Sequence, residues 1–529
     1  MMPSHHWARN FIVSPEDVEF LTGLLLEKET PLSSEDLARA LIERRVQAEA
    51  DILRERYKDA RLYNPALAYE VGQKIIFPAF DYETAVIVGS RPGNNPDYGA
   101  FNVIAVRFDD DDLNLPNRDR EFAVELTTPH ELIEEAEEED DTGMSMVEMD
   151  ADEIFDLAQD DIIAKVDEAL HQSPDLIYMA HKWFPRDLLM DVNIGHLNLA
   201  EAVLDIAGGG PMNTIEILNE IGGLGKAPVA LQEFSMNYAL RDDNRFDEVG
   251  PTGEVLWYLA RLEPQEVLQT PTMLRYSPIE YDRGMLTPEM LQLEAEIGDE
   301  MSETLKPQPG AEETRIVLIY PHRRLGTLPI NGTAARIFPT ARQTPRVWVT
   351  LVDGQDGEEY PCWVVRKERY VYGLAKFYRK HKLPVGAYVT VRKGDSDGKV
   401  VINFNAYRPR TEYIRLIVPR NNNELVFENQ KRAIGAEYDE LMILGADDLA
   451  GMDALFQNTQ QQRKSLASIL RTLIPPLGAL TPQGTVHTKT LYSAVNVLRR
   501  CPPGPIFATL VANPDFQNVG GQYWKLSGD

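Results

Sequence analysis

Between residues 11 and 62, apolar side chains recur at helical spacing: Leu37, Ala38, Leu41 and Ile42 share one face, with Glu43, Arg44 and Arg45 on the other. Ser33 followed by Asp36 offers a capping-box start, so residues 1–65 predict a helical, winged-helix-like N-terminal domain. From about Tyr69 the apolar positions alternate instead. VGQKIIF (71–77), AVIV (85–88) and FNVIAVRF (101–108), with the turn-rich RPGNNPDYG (91–99) between them, predict a small antiparallel β-barrel of the Src-homology type over 66–130. Helical spacing returns at 151–171 through Phe155, Ala158, Ile162, Ile163 and Val166, opening a helical region expected to run from 151 to 264. Residues 265–313, preceded by Pro264 and punctuated by Pro271, Pro278, Pro288, Pro307 and Pro309, predict a linker carrying one exposed helix at 290–305. Beyond it, TRIVLIY (314–320), RVWVTLVD (346–353), YPCWVV (360–365), AYVTVRK (387–393), KVVINF (399–404) and YIRLIV (413–418) predict strands, with one helix at 373–383. That density of strands predicts a nearly closed β-pseudobarrel over 314–420, followed by a helical C-terminal region, 421–529. The fold class expected is multidomain α+β, winged-helix modules plus small antiparallel β-barrels.

An internal repeat sharpens the helical regions. Val203-Leu204 precedes Gly210-Pro211 by seven residues, and Val497-Leu498 precedes Gly504-Pro505 by the same seven. Short helical runs follow, IEIL (215–218) and IFATL (506–510). Each unit closes on a related phrase, RFDEVGPTGEVLWYL (245–259) and DFQNVGGQYWKL (515–526), with a Phe, Val-Gly three residues on, and a Trp two before a Leu. Helix, turn, helix and a hairpin whose Trp257 or Trp524 folds back on the helices outline a winged helix-turn-helix. LLEKETP (25–31), ahead of the helix at Ser34 and the strand at Tyr69, reads as a worn third copy. These residues resemble the HARE-type helix-turn-helix family, a winged-helix module of the delta subunit of bacterial RNA polymerase and of chromatin and restriction proteins. The resemblance covers 196–262 and 486–527 and implies a role at DNA or at transcription machinery. In the central copy the third helix (227–242) holds one arginine beside Glu233 and Asp242, a poor composition for a major-groove helix. The C-terminal copy leaves little room for a third helix at all. Both features turn these modules toward packing or protein contact.

Charge changes the picture more than any motif. The 529 residues carry 53 Lys and Arg against 83 Asp and Glu, a net −30. Yet 314–420 holds 20 cationic against 8 anionic side chains, while the rest of the chain holds 33 against 75. At the other extreme, 131–161 has 15 acids and no Lys or Arg, which predicts an acidic linker over 131–150. A +12 segment in an acidic protein points to nucleic-acid binding, with internal pairing to the acidic segments, or another protein with an acidic face, as the alternatives. The phrase CWVVRKERYVYGLAKFYRKHKLPVGAYVTV (362–391) resembles the plant-type B-three DNA-binding pseudobarrel, shared with some restriction endonucleases, whose flanking loops enter the major groove. Here Gly386-Ala387 stands where that family has Gly-Asp, and the upstream stretch 322–346 is long. The candidate DNA-binding residues are Arg323, Arg324, Arg336, Arg342, Arg346, Arg366, Lys367, Arg369, Lys376, Arg379, Lys380 and Lys382.

No catalytic residue, cofactor or metal ligand is nominated. GGLGKAP (222–228) has Glu220 and Ala227 where a phosphate loop needs Gly and Ser or Thr. The acidic quartet Asp109–Asp112 lacks the spacing of a calcium loop, QSPDL (172–176) is followed by no Glu-x-Lys, and the nine histidines form no metal pair. Cys362 and Cys501 cannot build a disulfide scaffold, and no apolar run reaches membrane-spanning length. The reading is a cytoplasmic, bacterial-type, non-enzymatic DNA-binding protein of transcription control or genome regulation. Nucleoid association is left open, RNA is the alternative nucleic acid, and no membrane partner is expected. Its rivals are a non-catalytic adaptor for RNA polymerase or another protein, and the recognition subunit of a restriction or defence system.

Overall fold

A computed structural model describes residues 11–57, 60–77, 80, 83–95, 99–108, 119–127, 151–302, 312–341, 344–396, 398–420 and 425–528. The expected acidic linker, the quartet Asp109–Asp112 and Arg342 lie outside them. The chain is a multidomain α+β protein that divides into two compact units, Met1–Met190 and Asp191–Asp529.

In the first unit Ser14 caps α1 (Pro15–Lys28): its hydroxyl accepts from the Asp17 N–H while the Asp17 carboxylate accepts from the Ser14 N–H. A two-residue strand, β1 (Leu32–Ser33), leads into α2 (Ser34–Tyr57). Then come β2 (Ala60–Leu62), β3 (Lys74–Phe77), β4 (Glu83–Pro92), β5 (Asn102–Phe108) and β6 (Asp119–Val124), which form one five-stranded sheet in sequence order. Bonds from the N–H groups of Glu125 and Leu126 to the carbonyls of Leu67 and Pro65 bring its end back to its beginning. Ile75, Phe77, Ile87, Ile104, Val106 and Phe108 give it a core of its own. After it come α3 (Ala151–His171), β7 (Leu176–Met179) and β8 (Lys182–Pro185), and β8 pairs with both β1 and β7. Leu21, Leu25, Leu37 and Leu41 from one side of the barrel share a core with Ile162, Val166, Leu170 and Trp183 from the other. The first unit is therefore a winged helix interrupted by a barrel.

This corrects two expectations. Helix 151–171 does not open a region shared with 196–262, since its apolar face packs on α1 and α2. The N-terminal copy does not close at Tyr69 either; its hairpin is 176–185. The strands from Lys74 onward satisfy one another, so the winged helix draws its closing hairpin from beyond them.

The second unit begins with an uninterrupted winged helix: α4 (Ile194–Ile206), β9 (Met212–Asn213), α5 (Thr214–Ile221), α6 (Val229–Asp242), β10 (Phe246–Glu248) and β11 (Leu256–Leu259). Next is α7 (Pro288–Ile297), started by Thr287 and Pro288 and stopped by Gly298 in the left-handed region. Met290, Leu293 and Ile297 are buried, so the helix expected to be exposed is not; residues 303–305 of its expected range lie outside the described residues. The basic segment folds as β12 (Glu313–Val317), α8 (Tyr320–Leu325), β13 (Thr327–Pro329), α9 (Ala334–Ile337), β14 (Arg346–Asp353), β15 (Glu359–Val365), β16 (Tyr370–Tyr372), α10 (Ala375–Lys380), β17 (Tyr388–Lys393) and β18 (Lys399–Asn403). Its seven strands form one nearly closed sheet in the order β12-β17-β18-β14-β15-β16-β13. Then β19 (Ala406–Pro419) and β20 (Leu425–Ala436) make a long antiparallel ribbon, with β21 (Leu444–Ala446) parallel to β19. The boundary expected at 420 falls inside that ribbon and would cut it.

The chain ends with α11 (Leu449–Gln461) and a third winged helix: α12 (Leu466–Gly478), β22 (Val486–His487), α13 (Thr488–Leu498), α14 (Pro503–Ala512), β23 (Phe516–Gly520) and β24 (Tyr523–Leu526). The closing phrases of the repeat align as expected, but its helices do not. IEIL lies in the second helix of its module and IFATL in the third, so the shared seven-residue spacing is coincidental. The third helix that seemed absent is α14.

One polar contact recurs in all three modules. The buried indole of Trp183 donates from Nε1 to Ser34 Oγ at 3.0 Å, that of Trp257 to Thr214 Oγ1 at 3.0 Å, and that of Trp524 to Thr488 Oγ1 at 3.2 Å. Each hydroxyl belongs to the first residue of the module's second helix, and each Trp to its last strand. In the first two modules the third helix adds a further acceptor, Asp167 Oδ1 at 3.1 Å from Trp183 and Asn237 Oδ1 at 2.8 Å from Trp257. The third uses the Gln522 carbonyl, which accepts from Thr488 Oγ1 at 2.8 Å. An indole N–H needs a partner when buried, and this one fastens hairpin to helix.

Candidate nucleic-acid interface

The stretch 322–346, expected to be an irregular cationic loop, folds over 322–337 as helix, strand and helix. Pro321 at the start of α8 and Gly326, left-handed at its end, define the first helix, and this order engages its arginines. Arg323 donates from Nε to the Leu383 carbonyl at 2.5 Å, and its guanidinium stands 5.7 Å from the Tyr378 ring. Burial and the neighbouring Arg379 draw its pKa below the usual range. Arg324 pairs with Asp453 at 2.6 Å. Arg346 pairs with Asp247 and lies 3.2 Å from Glu263. Arg366 donates to the carbonyls of Ala335, Phe338 and Pro339, and Arg369 to that of Glu300 at 2.7 Å. Lys376 pairs with Glu358 at 2.5 Å, and Lys380 with Asp353, Asp356 and Glu358 at 2.5–3.0 Å. Those last ion pairs pin α10 to the β14–β15 turn. Among the described residues Arg336, Lys367, Arg379 and Lys382 are exposed without a carboxylate partner.

Among the described residues, carboxylates from outside 314–420 match only Arg315, Arg324 and Arg346, while Lys376 and Lys380 pair with acids already counted in the +12. Other cations stay free. Arg392 and Lys393 are exposed at the end of β17, and Arg408, Arg410 and Lys431 on the outer half of the ribbon. There the charge is backed by rings: Arg410 lies 5.6 Å from the Tyr407 centroid and Lys431 5.2 Å from that of Tyr413, which is 65% exposed. Tyr413 and Lys431 are direct cross-strand partners, with Thr411 and Ala433 next on the same face. Arg432 on the opposite face pairs with Asp447. The alternation of Arg and Tyr in AYRPRTEY (406–413) was a visible signal; its partner strand was not among the expected ones.

The winged helices offer less. In α6, Gln232, Ser235, Asn237 and Leu240 are buried, and its exposed N-terminal residue is Val229. On α4 of the same module Ile206 is 89% exposed, and Leu199 is exposed too.

Where this module meets the barrel, Tyr258 stacks on Trp348 with Trp363 edge-on to both, and the Trp348 backbone N–H donates to the Val249 carbonyl at 2.8 Å. Glu248 and Glu263 are held in the same junction. Burial and the nearby Asp247 push Glu248 up to about 7. Burial and Asp247 push Glu263 to about 8 despite the opposing pull of Arg346. Unfolded, both carboxyls ionise at about 4–4.5. Between that value and about 8 the unfolded chain therefore holds fewer protons, and this contribution to stability falls as pH rises. Glu263→Gln should flatten the decline of melting temperature between pH 5 and 8.5; a decline identical to wild type would exclude Glu263 as its source.

Among the described residues, no group of three or more His, Cys, Asp or Glu side chains is placed to hold a metal ion, and no helix is long and apolar enough to cross a membrane. Cys362 and Cys501 are buried free thiols, whose pKa values burial raises. No protein-family model, curated protein or solved structure matches the chain.

Proposed function

We propose that the protein binds duplex DNA without catalysis, through the β19–β20 ribbon together with the exposed cations of the adjoining barrel. The observation that carries this is the exposed stretch of the ribbon, where Lys431 keeps a free charge beside exposed Tyr413 on one face and Arg410, near Tyr407, keeps one on the other, with Arg408 exposed on the same strand as Arg410. A two-stranded ribbon has the width of the major groove, and aromatic-backed cations suit phosphate contact while limiting desolvation. The acidic remainder of the chain, at a net −30 overall, would repel DNA from every other face and so orient the encounter.

The test is a salt titration on one duplex with the whole chain and with Arg408→Gln/Arg410→Gln/Lys431→Gln. These side chains make no ion pair among the described residues, so the melting temperature should hold. Affinity should drop, and the slope of log K against log salt should flatten by about 0.9 for each phosphate that is no longer neutralised. The same titration on single-stranded and duplex RNA separates the nucleic acids. Unchanged affinity and slope would overturn the reading. A second reading, an adaptor for a protein partner, is favoured by the exposed apolar side chains Ile206, Leu199 and Val229 of the central winged helix, and would then lead.

A further inference from the structure

A cavity of about 1110 Å³ opens in the second unit between two walls. The barrel supplies one, through Ile330, Asn331 and the turn 366–369. The other consists of 270–281 and the start of α14, with Leu274, Arg275, Tyr276, Tyr281, Pro502 and Pro505. Between them lies the segment 294–302, whose acids are already matched. Glu294 accepts from Arg283 at 2.6 Å, while Asp299 and Glu300 accept from the buried Arg500 at 2.7 Å each. With those carboxylates engaged by Arg283 and Arg500, Arg275, Lys367 and Arg369 line the cavity, on both walls, with Glu368 as the remaining acid of the lining. Lys367 is exposed and unpaired among the described residues. Ser302 is 7% exposed, lines the cavity, and its Oγ has no hydrogen-bond partner among the described residues. A buried hydroxyl without a partner is costly unless something supplies one.

We propose that this cavity binds a nucleoside phosphate. Its phosphates would lie between Lys367 and Arg369 on one wall and Arg275 on the other, its ring against the tyrosines and prolines, with Ser302 Oγ bonding one of its polar atoms. The space is of the size that holds a cofactor-sized molecule, and it exceeds what an inorganic anion fills. A bare anion would leave Tyr276, Tyr281 and the prolines uncovered, whereas a neutral ring compound would leave Lys367, and Arg275 and Arg369, which among the described residues donate only to the carbonyls of Thr270 and Glu300, without an anion. This site is separate from the ribbon and stands or falls independently of DNA binding.

The experiment is calorimetric titration of the whole chain with ATP and GTP, and with pyrophosphate and adenosine as half-ligands. One or both nucleotides should bind in the micromolar range, with each half-ligand at least about tenfold weaker. Lys367→Glu should weaken nucleotide binding about tenfold or more, and Ser302→Ala about threefold or more, both with unchanged melting temperature. Pyrophosphate binding as tightly as the nucleotides would reduce the cavity to a plain anion site and overturn the assignment. Nucleotide affinity indifferent to Lys367→Glu would place binding elsewhere, and no binding at millimolar nucleotide would end the proposal.

Discussion

Replacing Arg500 by Met is expected to destabilise the second unit by about 3–5 kcal/mol. The guanidinium is 1% exposed and joins two parts of the chain: Nη2 donates to Asp299 Oδ1 and Glu300 Oε1 at 2.7 Å, and Nη1 to Asn496 Oδ1 at 3.0 Å. Tyr492 donates to the other Asp299 oxygen at 2.5 Å, and His322 Nε2 stands 3.1 Å from Glu300 with Nδ1 on Thr327. Arg500 therefore joins the third winged helix to the segment after α7, and His322 of the basic segment joins the same cluster through Glu300. Burial opposes the ionisation of Glu300, but Arg500 and His322 outweigh it and hold the carboxyl well below its usual range. Without Arg500, two carboxylates face each other in a dry site, and burial raises both. The folded variant would then retain protons that the unfolded chain releases above about pH 4–4.5, so its deficit should grow from pH 4 to pH 7. Urea unfolding at both pH values measures it. Adding Asp299→Asn and Glu300→Gln should recover much of the loss at pH 7, because the uncompensated charge causes it. A deficit below about 1 kcal/mol at pH 7 would mean that Arg500 is not what holds these parts together.

The same cluster shows where the sequence stops being legible. The periodicity of RVWVTLVD announces a strand, and β14 alternates buried and half-buried along its length. Leu37, Ala38, Leu41 and Ile42, spaced for one helix face, are all fully buried. Such local patterns survive because one backbone period decides them. Asp299 and Glu300 had no such signature: acids among prolines resemble a solvated linker, and the arginine that makes their burial tolerable lies about 200 residues further on. The cationic stretch failed for the same reason. Arg324 finds Asp453 at a separation of 129 residues and Arg346 finds Asp247 at 99, so whether a charge is free depends on tertiary partners that no local pattern names. The interrupted winged helix is the third instance. Its halves read separately as helices, but only pairing across 149 residues, Trp183 to Ser34, makes them one module.

That pairing leads to the other large effect. Trp183→Ala, Trp257→Ala and Trp524→Ala should each cost about 3–5 kcal/mol, since each indole is almost fully buried and its removal leaves a cavity. Trp→Phe keeps most of the apolar volume and isolates the N–H bond, for which about 1–2 kcal/mol is expected. The three modules should then differ. In the second, the Thr214 hydroxyl retains Asn237 as a partner, and in the third Thr488 retains the Gln522 carbonyl, so Trp→Phe leaves neither hydroxyl unsatisfied. In the first, Ser34 keeps Asp167, and the Trp183 bond, beside the β1–β8 pairing, ties the hairpin after the barrel to the helix before it. Trp183→Ala should therefore raise amide exchange in 34–46 and 162–170 together, while 85–87 and 104–106, inside the barrel with its own aromatic core of Phe77, Phe108 and Phe122, keep their protection. Barrel amides exchanging at the same accelerated rate as the helices would show that the barrel and the winged helix around it unfold as a single unit.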